Sequence, residues 1–295
     1  MAHPVHYPPH MSRPTYLVTA AFGLAACQAQ AVTEDGADIY EMDRAELFCG
    51  THEPSSVGKL SVEQQTARMP IGDAKPGAVI NVHFHVITKD GRTGDIANTS
   101  LEEQVRILNG AFHSTGFSFR LGSIDRTTSA TWFAMAPDSA AEKAAKFALR
   151  TGDARDLNIY TAEPGSGFVG YATFPVDYTA QPTLDGVVML HSAMPNGASA
   201  PYNLGDQTVH QVGHWLGLYH TYQAACGDNG DMVHDTPATN EPAFGCPVGR
   251  DTCGADDSMD PVRNYMDATD DACMNAFTEG QRERIDRQFT AFRRY

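Results

Sequence analysis

From Ala78 to Thr88 the chain reads A-V-I-N-V-H-F-H-V-I-T, with apolar and polar residues alternating and many β-branched side chains. A period of two predicts a strand with one apolar face. His83 and His85 share a face of it and read as polar rings on a sheet surface rather than ligands. Ser100-Leu-Glu-Glu103 has the form of a capping box, and it predicts an amphipathic helix with Leu101, Val105, Ile107, Leu108 and Phe112 on its apolar side. Phe117–Leu121, Leu157–Thr161 and Val187–His191 read as further strands. Ser139–Leu149, rich in Ala and Lys, reads as a second helix ending before Gly152. The glycine-punctuated stretch Gly165–Phe174 is strand-like: either a sheet edge or a plain connection. An exposed edge there could hold an extended peptide by strand addition. Thr278–Phe292 predicts a C-terminal helix, with Phe277 before its cap and Ile285, Phe289 and Phe292 on one side.

Strands and helices in this order predict an α/β fold with a mixed sheet. Two regions depart from it. Residues 32–70 are acidic, polar and poor in periodicity, and read as a pro-segment or loosely attached N-terminal arm. Residues 224–275 carry four cysteines and many Asp and Gly, the mark of a region stapled by disulfides, with three possible connectivities. The main domain is expected over 71–295.

Composition narrows the function. Of 295 residues 42% are hydrophobic, enough for a core, and the net charge of −15 argues against a nucleic-acid or anionic-membrane partner. Arg13 precedes a short apolar run, Leu17–Ala26, too short to cross a bilayer and suited to an export signal within residues 1–31. Ala29-Gln30-Ala31 offers an ordinary secretory cleavage site. Leu24-Ala25-Ala26-Cys27 alternatively resembles a bacterial lipobox, which would anchor the protein to a membrane through Cys27. His3, His6 and His10 lie in what reads as leader.

The chemistry centres on residues 208–222. His210 and His214 are four apart, so a helix projects both from one face. Gly217 lets the chain leave the helix, because it takes φ > 0 without steric cost. His220 can then swing back, and three imidazoles with an open fourth position suit catalytic zinc. The spacing H-x-x-x-H-x-x-G-x-x-H is a metzincin signature. The residue after the first histidine should be the general-base Glu; here it is Gln211, which can hold a water but has no carboxylate to accept a proton.

The stretch from Asn203 to Gln281 resembles the pappalysin family of metzincin zinc metallopeptidases. The matching residues are H-Q-V-G-H-W-L-G-L-Y-H at 210–220, G-D-M-V-H-D-T-P at 230–237, F-G-C-P at 244–247, R-D-T-C at 250–253 and N-Y-M-D at 264–267. The resemblance implies a metzincin-like domain: a twisted mixed sheet with helices above a zinc-site helix, and an irregular lower subdomain ending in a helix. It implies zinc on His210, His214 and His220, with Met266 packed in a tight turn beneath the metal. It also implies disulfides Cys226–Cys253 and Cys246–Cys273. Asp228–Thr236 looks like the family's calcium loop, with Asp231 and Thr236 matching best; a solvated acidic turn is the alternative. Cys49 could place a thiolate on the open zinc position and hold a zymogen latent, pair with Cys27, or stand idle. Related enzymes often carry Tyr two residues after the Met, where this chain has Ala268.

The expected protein is a secreted, monomeric zinc metalloendopeptidase acting on extended peptides and impaired at Gln211 and Ala268. The alternative is a zinc-containing module that binds peptides without cutting them.

Overall fold

The computed structural model describes residues 48–68, 78–223, 226–227, 230–254 and 258–294. The export signal, the lipobox at Cys27, the cleavage site at 29–31, the histidines at 3, 6 and 10 and Asp228 lie outside the described residues. Eleven named elements build the fold: α1 (Ser56–Thr66), β1 (Val79–Thr88), α2 (Asn98–Ala111), β2 (Ser118–Thr128), α3 (Ala130–Phe133), α4 (Ala140–Leu149), β3 (Leu157–Ala162), β4 (Gly170–Ala172), β5 (Val187–Leu190), α5 (Asp206–Trp215) and α6 (Glu279–Phe292).

The sheet has the order β2-β1-β3-β5-β4. Every pairing is parallel except that of β4 with β5, which is antiparallel and puts β4 on the edge. The α/β fold with a mixed sheet is therefore as expected. β1 works because its alternation feeds two layers. Ile80, Val82, Phe84 and Val86 enter the main core with Leu101 and Leu108 of α2 and Val209, Val212 and Trp215 of α5. Ile87 faces the other way, into a smaller cluster with Phe133, Met135, Ala145 and Tyr160.

Three expectations need correction. His85 is not on a sheet surface but fully buried, where Nδ1 bonds Asp125 Oδ2 at 2.6 Å and Nε2 bonds Asn158 Oδ1 at 2.9 Å. Those two partners and a stacked Tyr160 ring make burial of the imidazole tolerable. Ser100 does not cap α2; the helix begins at Asn98 and no side chain caps it. Arg126 draws the start forward by binding Ile96 O and Asn98 Oδ1, both at 2.7 Å. The strand expected to end at Leu121 runs on to Thr128 past a bulge opposite Val82–His83. Gly122 is the extra residue there, and a Cβ on it would lie 2.7 Å from the His83 ring.

The described part of the N-terminal segment, residues 48–68, packs against the rest of the fold. It contains α1, whose cap Ser55 accepts from Gly58 N, and Glu63 of α1 pairs with Arg284 of α6. The lower region is irregular, as expected, and Cys226 is bonded to Cys253 and Cys246 to Cys273. Each bond closes a span of 27 residues, for which chain entropy gives roughly 3–4 kcal/mol. The α6 helix starts at a capping box of Thr278 and Gln281 and ends at the buried Arg293. That guanidinium stacks on Trp215, 3.7 Å away, binds Asp185 and donates to Trp215 O at 3.1 Å. Arg293 thus clamps the end of α5.

Candidate metal centre

Helix α5 carries His210, Gln211 and His214, all buried. Its N-cap Gly205 has no side chain, and Asp271 from the lower region anchors the turn into the helix, accepting from Leu204 N, Gly205 N and Gln207 Nε2 at 2.7–3.1 Å. The helix stops at Gly217, which has φ +100°. Leu218 N then returns to Gly213 O at 2.9 Å, and the chain carries His220 back toward the helix.

The three imidazoles converge. His214 Nε2 lies 3.1 Å from Nε2 of both His210 and His220. Each ring uses its other nitrogen elsewhere: His210 Nδ1 on Tyr265 O, His214 Nδ1 on Leu218 O and His220 Nδ1 on Glu53 Oε1, all at 2.8 Å. These acceptors engage the Nδ1 side of each ring, so the three Nε2 atoms are left facing one another across one space. A tetrahedral zinc with Zn–N of ~2.0–2.1 Å would set such nitrogens roughly 3.3–3.4 Å apart. The residues fit the ion.

Cys49 sits at the fourth corner, its Sγ 3.6 Å from His214 Nε2. With Zn–S of ~2.3 Å the same tetrahedron gives an S–N edge of about 3.5–3.6 Å. The four ligand atoms lie within 4.8 Å of one another, and among the described residues this is the one such cluster. Burial opposes ionisation of Cys49, but His214 and His220 outweigh it and hold the thiol well below its ordinary value. Burial also acts to lower His220, yet Cys49 and Glu53 raise it to about 9. Burial takes His214 down to about 4.

Gln211 is fitted to the N-terminal segment at both ends. Its Oε1 accepts from Thr51 Oγ1 at 3.0 Å, and its Nε2 donates to Cys49 Sγ at 3.3 Å. Thr51 in turn accepts from Ala172 N of β4 at 3.0 Å, and Gly50 N donates to Gly170 O at 2.9 Å. The segment therefore lies on the edge strand as a short parallel bridge, Cys49 opposite Gly170. Met266 is fully buried under α5, so close that a Cβ on Gly213 would lie 2.4 Å from its sulfur. Ala268 is buried two residues on and offers no hydroxyl.

Asp231 and Thr236 come together in the wall of a cavity of about 480 Å³ that also takes in Thr221, Leu60 and Glu63. Asp231 Oδ2, Thr221 Oγ1 and Thr236 Oγ1 are buried there without hydrogen-bond partners among the described residues. Burial pushes the Asp231 carboxyl up to about 7, against the pull of the Val233 N–H.

Sequence reasoning missed Phe48, Thr51 and Glu53 as site residues. Each acts across more than 150 positions of chain, and nothing local marks such partners. The backbone acceptors Tyr265 O and Leu218 O carry no sequence signal at all, although the N-Y-M-D and G-L-Y-H stretches bring them in.

Comparison with known proteins agrees with this geometry. The M43 peptidase family, described as pregnancy-associated plasma protein-A, matches residues 157–290. An extracellular metalloprotease of Pyricularia oryzae is 36% identical over 93% of this chain and 96% of its own length. One from Verticillium alfalfae is 40% identical over 83% of this chain and 89% of its own. Among solved structures, a mutant of Tannerella forsythia promirolysin aligns with a TM-score of 0.72 at 27% identity, covering 84% of this chain and 96% of that one. Mature mirolysin in complex with a cleaved peptide aligns with a TM-score of 0.62 at 29% identity, covering 72% and 91%. With this coverage and identity added to the three-histidine helix and its returning loop, the chain belongs to the M43, or pappalysin, family of metzincin metallopeptidases.

Proposed function

We propose that this chain is the precursor of a secreted zinc metalloendopeptidase, held latent by residues 32–70, with His210, His214 and His220 as zinc ligands and Cys49 as the fourth. The carrying observation is the convergence of three Nε2 atoms and the Cys49 sulfur within 4.8 Å of one another. The relatives' printed names, extracellular metalloproteases, support secretion and peptide substrates. The pro-form of mirolysin matches more of this chain (84%) than the mature form does (72%), which supports a pro-segment at the N-terminal side.

Bound zinc supplies Lewis acidity that polarises a scissile carbonyl and acidifies a water. This chain's own residues do the rest. The outer edge of β4, which Gly50 and Thr51 now cover, would offer its backbone to an extended peptide. Tyr265 O and Leu218 O hold two rings in the ligating tautomer. Gln211 occupies the general-base position and orients its neighbours through Oε1 and Nε2 without accepting a proton. Replacing a positioned base costs ~10²–10⁴-fold in rate. A missing oxyanion donor at Ala268 adds about 10²–10³-fold, the two not being additive. We therefore read turnover as impaired. The two-ended fit of Gln211 to the segment favours a second reading, a pseudoprotease that grips peptides without cutting them. Asp231 and Thr236 are read as calcium ligands, on the strength of their orphaned buried oxygens.

The test compares zinc content and cleavage of a denatured protein by the chain and its Gln211→Glu variant, each with and without the segment. One zinc in both and cleavage only by the variant supports an enzyme silenced at one residue. Zinc in both and no cleavage supports the pseudoprotease. No zinc in either refutes the proposal.

A further inference from the structure

The segment that covers the centre presents one large side chain beside the metal, and its surroundings differ from those of its neighbours. Gly50 has no side chain, Thr51 is committed to Gln211, and His52 and Glu53 face outward or toward His220. Phe48 is the apolar side chain of this stretch driven inward, 2% exposed. Its ring meets His210 edge-on with centroids 5.2 Å apart, and Tyr202 edge-on at 5.6 Å. It belongs to the same continuous apolar cluster as Tyr265, Met266 and Ala268. This is an aromatic lodged between a candidate zinc ligand, His210, and Tyr202, next to the residue whose sulfur stands where a scissile carbonyl would be polarised.

We infer that Phe48 fills, in the precursor, an apolar subsite that accepts an aromatic or large aliphatic side chain flanking the scissile bond of a substrate. The inference rests on the peptidase reading for the words "scissile bond" and on geometry alone for the subsite. Three features set the class of side chain. The walls nearest the ring are aromatic faces and edges, which favour a ring in T-shaped contact. Neither Tyr202 nor His210 offers a counter-charge, so a lysine or aspartate placed there would lose hydration without compensation. Burial as complete as that of Phe48 makes size matter, because a smaller side chain leaves a void against a rigid helix. A cavity of about 430 Å³ provides the contrast: Tyr171, Phe174 and Asp177 line it on one side, and Gly50, His52, Pro54 and α1 wall it without filling it. The precursor thus prints the shape of one subsite and leaves the other blank.

The test uses the full chain loaded with zinc and carrying Phe48→Ala and Cys49→Ser, which loosens the tethered segment. Labelled nonapeptides with the sequence of residues 46–54, with Phe, Leu, Ala, Lys or Asp at the place of residue 48, are titrated by fluorescence polarisation. The expected order is Phe, then Leu, then the rest, with Phe at least ~10-fold tighter than Ala. Affinities within about twofold of one another, or a best binder with Lys or Asp, overturn the inference. If none binds in trans, the decision passes to the tethered segment: iodoacetamide modification at Cys49, located by mass spectrometry, in the unaltered chain and in Phe48→Leu and Phe48→Ala. Modification of Phe48→Ala about 10-fold faster than the unaltered chain, with Leu between, supports the subsite; equal rates refute it. Cleavage by Gln211→Glu is recorded separately. Peptide preference without cleavage leaves the subsite standing and removes the peptidase reading. Cleavage with no aromatic or aliphatic preference beside the cut does the reverse.

Discussion

The two halves of the metal centre are held by different kinds of partner. On the helix side, His210 and His214 are oriented by backbone carbonyls of Tyr265 and Leu218, which no side-chain replacement or proteolysis of the segment removes. On the segment side, His220 is oriented by the carboxylate of Glu53, the fourth corner is Cys49, and Gln211 is held by Thr51. The first half is a permanent scaffold and the second is borrowed. If the segment is removed as proposed, the three histidines stay, but the fourth ligand Cys49 and the partners Glu53 and Thr51 go with it.

The scaffold half is broken most severely at Arg293. Its guanidinium neutralises the buried Asp185 and ties α6 to the end of α5, so Arg293→Ala should lower unfolding free energy by about 3–5 kcal/mol in chemical denaturation. A smaller, condition-dependent effect concerns Asp231, whose cavity the segment residues Leu60 and Glu63 help to wall. Its folded pKa, about 7, lies above the ordinary carboxyl value. Its stabilising contribution is therefore complete below pH ~4 and is lost as pH rises through about 7, by up to roughly 4 kcal/mol. In chelator the melting temperature should fall over that window. Calcium should restore it at pH 8, and Asp231→Asn should abolish both effects.

The borrowed half is addressed by Glu53→Ala. Removing the partner of a ligating histidine costs ~10–100-fold in metal affinity, and competition with a chromophoric chelator should show that loss in the full chain. The smallest effect is expected at Glu63. Its pair with Arg284 is about one-third exposed on the Glu side, so Glu63→Gln should cost only ~0.5–1 kcal/mol and modestly hasten modification of Cys49.

What the sequence made legible follows from where the physics is local. The period-two run at 78–88, the four-residue spacing of His210 and His214, and the break at Gly217 each report structure within one or two turns of chain. The helix Ser56–Thr66 was opaque for a physical reason. It buries Lys59, Val62 and Thr66 while Val57 and Leu60 stay exposed, so its inner face carries no apolar stripe. Lys59 is buried usefully because it lies over the Tyr219 ring, a partner 160 positions away. Ser100 misled because a capping pattern is local while the start of α2 is set by Arg126 from another strand. His85 misled likewise: its burial depends on Asp125 and Asn158, neither adjacent in sequence.

The account turns on Cys49 as a ligand in the precursor, and zinc X-ray absorption of the loaded full chain tests it most directly. A shell of three nitrogens near ~2.0 Å and one sulfur near ~2.3 Å is predicted, with the sulfur lost after removal of the segment or in Cys49→Ser. A shell of nitrogen and oxygen alone in the intact chain would contradict it.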